Sequence, residues 1–411
     1  MVKSLRPIFV FFLLSLFLVT WLLPAFKQIP KVPGEGLYYI IFPLVFIFIY
    51  PQIFKNNIFI FLSTLVGFHF FYTVTGIYDE SRELSGFRSI YGLFEMAFVP
   101  ISIFIYAVDK FDERQNKRIF NLIVACLILT LFSTQTALLI FPNIARSLSS
   151  GSFDEDLRST FSNYNIASYN LLFNYVVIAP IFLLISKTDK KVFFISIFVL
   201  LVVVIVYSQL FSSFLLLIIN LVVFFLLKKF KIKTIKSYFL FIFFLVIAAF
   251  LSLQSIALVL SFVGNYFEGL EQFNIKISEV NSVLTGGKVD QNYNIASYEM
   301  RREESLNQFY ESPFIGGNIS TGHHFWIDNL AKFGILGSIP FFFIFFYFFN
   351  FVKKQLVNPY LKIVYFHLII VFMLIGVNKN ITLIMPVTIL FIVPFMLKQI
   401  DKKWQKTNKY I

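Results

Sequence analysis

Residues 192–227 read VFFISIFVLLVVVIVYSQLFSSFLLLIINLVVFFLL, with no charged residue from end to end. At a rise of about 1.5 Å per residue, such a helix is too long for one crossing of a hydrocarbon core about 30 Å thick. Tyr207, Ser208, Gln209, Ser212 and Ser213 interrupt it, and this polar cluster predicts a tight turn between two spans. Lys187, Lys190 and Lys191 precede the stretch, and Lys228, Lys229, Lys231, Lys233 and Lys236 follow it. Both flanks therefore belong on one side of a membrane and the turn on the other.

Working outward, apolar spans are expected near 7–26, 37–53, 57–75, 90–108, 119–141, 166–186, 192–208, 211–227, 237–260, 326–350, 360–377 and 381–397. Lys and Arg gather in alternate connections: Lys3/Arg6, Lys55, Lys110/Arg114/Lys117/Arg118, the two lysine groups above, Lys353/Lys354/Lys362 and Lys398 to Lys409. Cytoplasmic connections carry the basic excess, so this set is expected inside, together with both termini. The fold class is therefore all-α: a polytopic transmembrane helical bundle of about 12 spans, with 1–411 forming a single integral membrane domain. The first apolar segment follows basic residues as a signal peptide does. It lacks a small-residue cleavage site and is read as an uncleaved first helix.

Composition agrees. The chain is 58% hydrophobic and only 14% charged, where soluble domains carry about 25%. Phe342 to Phe349 has hardly a polar atom, which suits lipid contact. A net charge of +13 would point to nucleic acid in a soluble protein. Here the basic residues lie between spans, topology accounts for them, and no nucleic-acid partner is expected. The single cysteine, Cys126, can close no intrachain disulfide.

The less basic connections are the long ones. One covers about 142–165; the largest, 261–325, is the expected extracytoplasmic loop between spans 9 and 10. Long loops in compact proteins tend to be functional or disordered, and this one mixes aromatics, charges and glycine. Phe262–Phe273 and Ile295–Tyr310 are expected as helices on the membrane surface. We expect no internal repeat and no second soluble domain, which weighs against transporters built from matching halves.

Candidate chemistry crowds into that loop. It ends in Ser320-Thr-Gly-His-His-Phe-Trp-Ile-Asp-Asn-Leu-Ala-Lys-Phe-Gly-Ile-Leu-Gly337, holding two of the four histidines. His323 stands where an imidazole can exchange a proton near the interface; the plainer alternative is a helix cap. Gly334 and Gly337 would let helices pack closely. Arg301 and Arg302 run against the topological bias, and a guanidinium suits phosphate oxygens. One of the two is expected to pair with Glu303 or Glu304, and the other to meet a ligand. Arg158 and Arg88 stand at the mouths of two spans and could complete a cationic ring, solvated loop charge being the plainer reading.

Glu95, His69 and His367 lie within spans. Ionisable groups there are functional hypotheses by default, although contacts between helices account better for His69 and His367. Glu95 could line an outer cavity. Asp154-Glu155-Asp156 looks like a metal–nucleotide triplet, but nucleotide sugars are cytoplasmic, and a solvated acidic turn is the better account. There is no phosphate-binding glycine loop, no Gly-x-Ser-x-Gly elbow, no paired Cys ligands and no His-Glu-x-x-His. No metal site and no cofactor are expected.

These features together resemble the O-antigen polymerase and O-antigen ligase superfamily. The resemblance rests on Arg158 before the Asn-Tyr-Asn-Ile-Ala run, on Arg301/Arg302 before Pro313 and Gly316-Gly317, and on Gly322-His323 before Phe325-Trp326-Ile327 and Gly334. In architecture it covers most of the chain, and in motifs about a quarter. In the family the residue after the histidine is often Asn, where this chain has His324, and the paired arginine-to-glycine spacings of some polymerases are missing.

The resemblance implies a bacterial cytoplasmic-membrane enzyme acting on its outer face on undecaprenyl-diphosphate-linked oligosaccharides. Flippase and chain-length regulator proteins would be partners, beside membrane lipid. His323 would be the catalytic base. Arg158, Arg301, Arg302 and Arg88 would hold the diphosphate. His324, Glu95, Asn165 and Tyr310 would line the substrate site, and Tyr310, Phe325 and Trp326 could stack on sugars, interface anchoring being the better reading of Trp326. A repeat-unit polymerase is the leading expectation and a ligase with the same donor the next. A flippase would need a charged central cavity open to both sides. A glycosyltransferase using Glu35 would need more than that one carboxylate.

Overall fold

The computed structural model describes residues 2–25, 50–57, 99–141, 165–187, 190–251, 271–284, 294–317, 323–381 and 384–407, with positions 59, 60, 63, 67, 97, 144 and 262. Among the described residues every element is helical and none is a strand. In chain order these are α1 (Val2–Leu22), a 3-10 helix at Pro51–Lys55, α2 (Val99–Lys110), α3 (Glu113–Ile140), α4 (Tyr169–Ile185), α5 (Lys191–Tyr207), α6 (Phe211–Lys229) and α7 (Ile235–Leu251). They continue with α8 (Glu271–Leu284), α9 (Asn294–Glu311), α10 (Phe325–Gln355), α11 (Pro359–Asn378), α12 (Ile384–Val387), a π-helical turn at Thr388–Ile392, and α13 (Val393–Lys406).

Three helices, α3, α6 and α11, are long and apolar enough to cross a membrane, and the bent α10 makes a fourth if taken as one span. Shorter apolar segments occur in α1, α4, α5 and α7. The outer surface fits that reading. On α7, Phe239, Leu240, Phe243, Phe244 and Val246 are each 56–60% exposed, an apolar face that water would not tolerate at this size. The stretch 192–227 divides as expected: α5 ends at Tyr207, Gln209 takes a left-handed φ of 54°, and α6 starts at Phe211.

The basic connections converge on one end of the bundle. Tyr50 donates to Asp109 at 2.6 Å, and Lys406 pairs with Glu113 at 2.6 Å. Lys403 lies 5.8 Å from the Phe120 ring centroid, and Asp401 accepts from the backbone N–H groups of Val357 and Asn358. Lys187 and Lys228 are close enough to repel; burial first, then Lys228, brings the Lys187 pKa down to about 8.

Two prolines inside buried helices show how backbone polarity is satisfied away from water. Pro180 of α4 has no N–H for the Val176 carbonyl, and Asn220 of α6 donates to it at 2.6 Å. Asn220 Oδ1 then accepts from His367 Nε2 at 2.9 Å, and His367 Nδ1 takes the Tyr238 hydroxyl at 3.0 Å. His367 is thus a tie between helices. In the π turn, Val393 N–H donates to Thr388 O; the next donor in that register would be Pro394, which has none, and Tyr365 donates to Ile389 O at 3.0 Å instead.

Several expectations need correction. Of the 342–349 run, Ile344, Phe345, Phe348 and Phe349 are core residues, and only Phe343 and Phe346 are exposed. The expected helix at Ile295–Tyr310 is α9. The other expected surface helix falls largely outside the described residues, and a helix lies at Glu271–Leu284. A short internal repeat does exist: 163–169 and 292–298 are both NYNIASY.

Candidate functional site

Arg301 and the two adjacent histidines lie at the end of the bundle away from the lysine-rich connections. α10 is broken at Gly334, whose φ is 61°, and bends by 53° between Phe325–Ile339 and Phe341–Gln355. The break leaves backbone donors that the turn after α9 accepts: Ile335 N–H donates to Pro313 O at 2.8 Å and Leu336 N–H to Phe314 O at 3.2 Å. In return Gly317 N–H donates to Ala331 O at 2.8 Å. Gly316, with φ 81°, and Gly334 lie backbone against backbone, and a Cβ on either would collide with main-chain atoms of the other segment. The Pro313-to-Gly317 turn and Gly334, singled out separately in the sequence, form one joint between α9 and α10.

That joint brings Arg301 of α9 to His323. Arg301 Nη1 lies 2.6 Å from His323 Nε2. A guanidinium only donates, so Nε2 accepts and the ring proton of neutral His323 sits on Nδ1. Burial first, then the Arg301 charge, lowers the His323 pKa, with Asp328 opposing. His323 is therefore neutral near pH 7, with its basic nitrogen engaged by a cation. Arg302 is exposed, as are Glu303 and Glu304; adjacent helical positions do not share a face.

A buried frame holds the pair. Asp328, in the first turn of α10, accepts from Ser305 Oγ of α9 at 2.7 Å and from His324 N–H at 2.8 Å. Its charge also suits a helix N-terminus. His324 is 1% exposed, and its Nδ1 lies 2.9 Å from Val377 O. That nitrogen must donate, because a carbonyl oxygen only accepts. Phe325 N–H donates to Lys379 O at 3.2 Å, so segment 377–379 is fastened along 324–325. Sequence reasoning passed over Ser305, Asp328 and Lys379. Lys379 had a signal: it is a basic residue on a connection otherwise poor in them.

Trp326 is neither a sugar platform nor an interface anchor. It is 4% exposed, donates to Met373 O at 2.8 Å, and sits where any Cβ on Gly376 would strike it. Phe325, also buried, packs edge-on to it at 4.8 Å. Tyr310 is 69% exposed, about half a turn out of register with Arg301 on α9. Asn165 lies elsewhere: its amide reaches Ala25 N–H, Thr130 and Ser133, and Ser133 Oγ donates to its carbonyl at 2.6 Å. That amide is a knot joining α3, α4 and the segment after α1. Arg88, Glu95, Arg158, His69, Glu35 and Asp154 to Asp156 lie outside the described residues.

Beside the histidines, a groove of about 530 Å³ runs between α10 and α11, lined by Trp326, Leu330, Phe345, Phe346, Met373 and Val377 among other apolar residues. Phe346 and Val377 are exposed, so it opens on the apolar surface. Among the described residues no three His, Cys, Asp or Glu side chains gather as metal ligands. Comparison with models of known families, with curated proteins and with solved structures finds no match to this chain.

Proposed function

We propose that this protein is a membrane glycosyltransferase that polymerises undecaprenyl-diphosphate-linked oligosaccharide repeat units on the outer face of the bacterial cytoplasmic membrane. The observation that carries the reading is the Arg301–His323 contact at the end opposite the lysine-rich connections, with His323 three residues before Trp326, which lines the apolar groove between α10 and α11. A cationic rim above such a groove suits a lipid phosphate. The basic end is the cytoplasmic side, both termini lie there, and the full chain crosses about twelve times.

The reaction follows from the pair. Arg301 engages His323 Nε2. A diphosphate draws the guanidinium onto its oxygens, in charge-assisted bonds stronger than a bond to neutral imidazole. Nε2 is then released as a general base. The acceptor hydroxyl attacks the anomeric carbon, its proton passes to Nε2, and the bond to the diphosphate breaks. The lipid diphosphate leaves with the electron pair, its charge met by Arg301. The donor's leaving group drives the step, so no nucleotide enters.

A ligase would use the same donor and the same pair. A flippase is disfavoured, because among the described residues the buried carboxylates Glu279, Asp328 and Asp401 lie toward the ends of the bundle and the central His367 is fully bonded. Polysaccharide profiling of the host with and without the gene tests the reading. A deletion leaving single repeat units on their acceptor supports a polymerase. Long chains that stay on the lipid carrier indicate a ligase, and repeat units accumulating on the inner face indicate a flippase.

A further inference from the structure

Lys379 follows the end of α11 and is half-buried. Two hydrogen bonds fix its place: Val377 O is held by the His324 ring, and Lys379 O by Phe325 N–H. The residue therefore stands against the double histidine. Its charge is felt at His323, together with those of Arg301 and Asp328. Lys276 of α8 is near enough to act on Lys379 in turn, and Lys276 is itself paired with the buried Glu279.

We propose that Lys379 is a substrate-binding residue, the second cation of the anion site, holding a phosphate oxygen. This rests on the reading of the Arg301–His323 site as a diphosphate site. Three observations support it. The backbone bonds make Lys379 part of the frame that positions the histidines. Its position runs against the distribution of basic residues, which otherwise favours the opposite end. Burial lowers the Lys379 pKa, and the neighbouring Lys276 lowers it further, so a bound anion would restore what burial takes from the charged form. A diphosphate carries two anionic groups, and Arg301 alone offers one fork.

The test uses the full chain in nanodiscs with ring-labelled histidine. The chain has four histidines, and His323→Ala identifies the signal of interest. Inorganic diphosphate is titrated in and the shift of the His323 resonance followed, which reports on this end and not on the lysine-rich one. Losing one charge-assisted bond predicts weakening of about tenfold or more for Lys379→Gln, whereas Lys379→Arg, which keeps the charge, stays close to wild type. Lys379→Gln titrating like wild type overturns the proposal, and so does Lys379→Arg failing as badly as Lys379→Gln. If Arg301→Gln alone abolishes the shift, the diphosphate reading stands and Lys379 falls. If Lys379→Gln weakens binding and Arg301→Gln does not, Lys379 stands and Arg301 loses its role. A wild-type signal that never moves overturns both.

Discussion

At the scale of the residue, the decisive fact is which nitrogen holds which proton. His323 gives up its Nε2 lone pair to Arg301, and burial and that charge together lower its pKa. The sign of a substitution follows. Arg301→Gln removes a cation that disfavours imidazolium, so the His323 pKa rises toward about 6.5. Arg302→Gln leaves it in place. An NMR titration of the four histidines checks this, and equal shifts in both variants would refute the pairing. The histidine and both arginines were legible as candidates, because rare ionisable residues on a long loop need a reason. Which arginine mattered was not, since it depends on the rotation of α9 against α10. Trp326 misled for a similar cause: an amphipathic ring at a span's start can anchor at the interface, and only Gly376 on another helix shows that the ring is buried.

At the scale of the element, glycine and proline mark the joints. Gly316 and Gly334 both need φ above zero and both meet backbone. Gly334→Ala adds strain of about 1–3 kcal/mol before any collision is counted. It should lower thermal stability and separate Arg301 from His323; a variant as stable and active as wild type would show that the joint is not closed as described. The proline at 394 allows a cleaner test. Tyr365→Phe should cost about 1 kcal/mol by orphaning the Ile389 carbonyl and almost nothing alongside Pro394→Ala, which restores a backbone donor. A double-mutant cycle with no coupling would contradict the assignment.

The same scale shows where local sequence stops deciding. The heptapeptide at 163–169 stays non-helical through 166–168 after a left-handed Asn165, whereas its copy is helical from Asn294 onward. The first copy is held by hydroxyls of α3, through Thr130, Ser133 and Thr134. Tertiary bonds override the propensity of an identical sequence. The split of 192–227 was legible because its polar interruption is local. The burial of Phe345 and Phe348 was not, since both lipid and bundle core accept phenylalanine.

At the scale of the whole molecule, charge sorts the ends: the lysine-rich connections and their partners at one, the Arg301–His323 pair with Lys379 at the other. Single-cysteine variants in a Cys126→Ser background should separate in the same way. Labels unable to cross the membrane should reach Cys at 310 from outside whole cells and Cys at 402 only after lysis. The reverse pattern would invert the topology and place the pair in the cytoplasm.

The most direct test of the account is turnover by the purified protein given a lipid-linked repeat unit and nothing else. Wild type should release undecaprenyl diphosphate and build a ladder of lengthening glycans, and His323→Ala, folded and monodisperse, should slow both by about 10²–10⁴-fold. A ladder from His323→Ala as fast as from wild type would remove the base from the mechanism, and no ladder from wild type under any acceptor condition would contradict the proposed function.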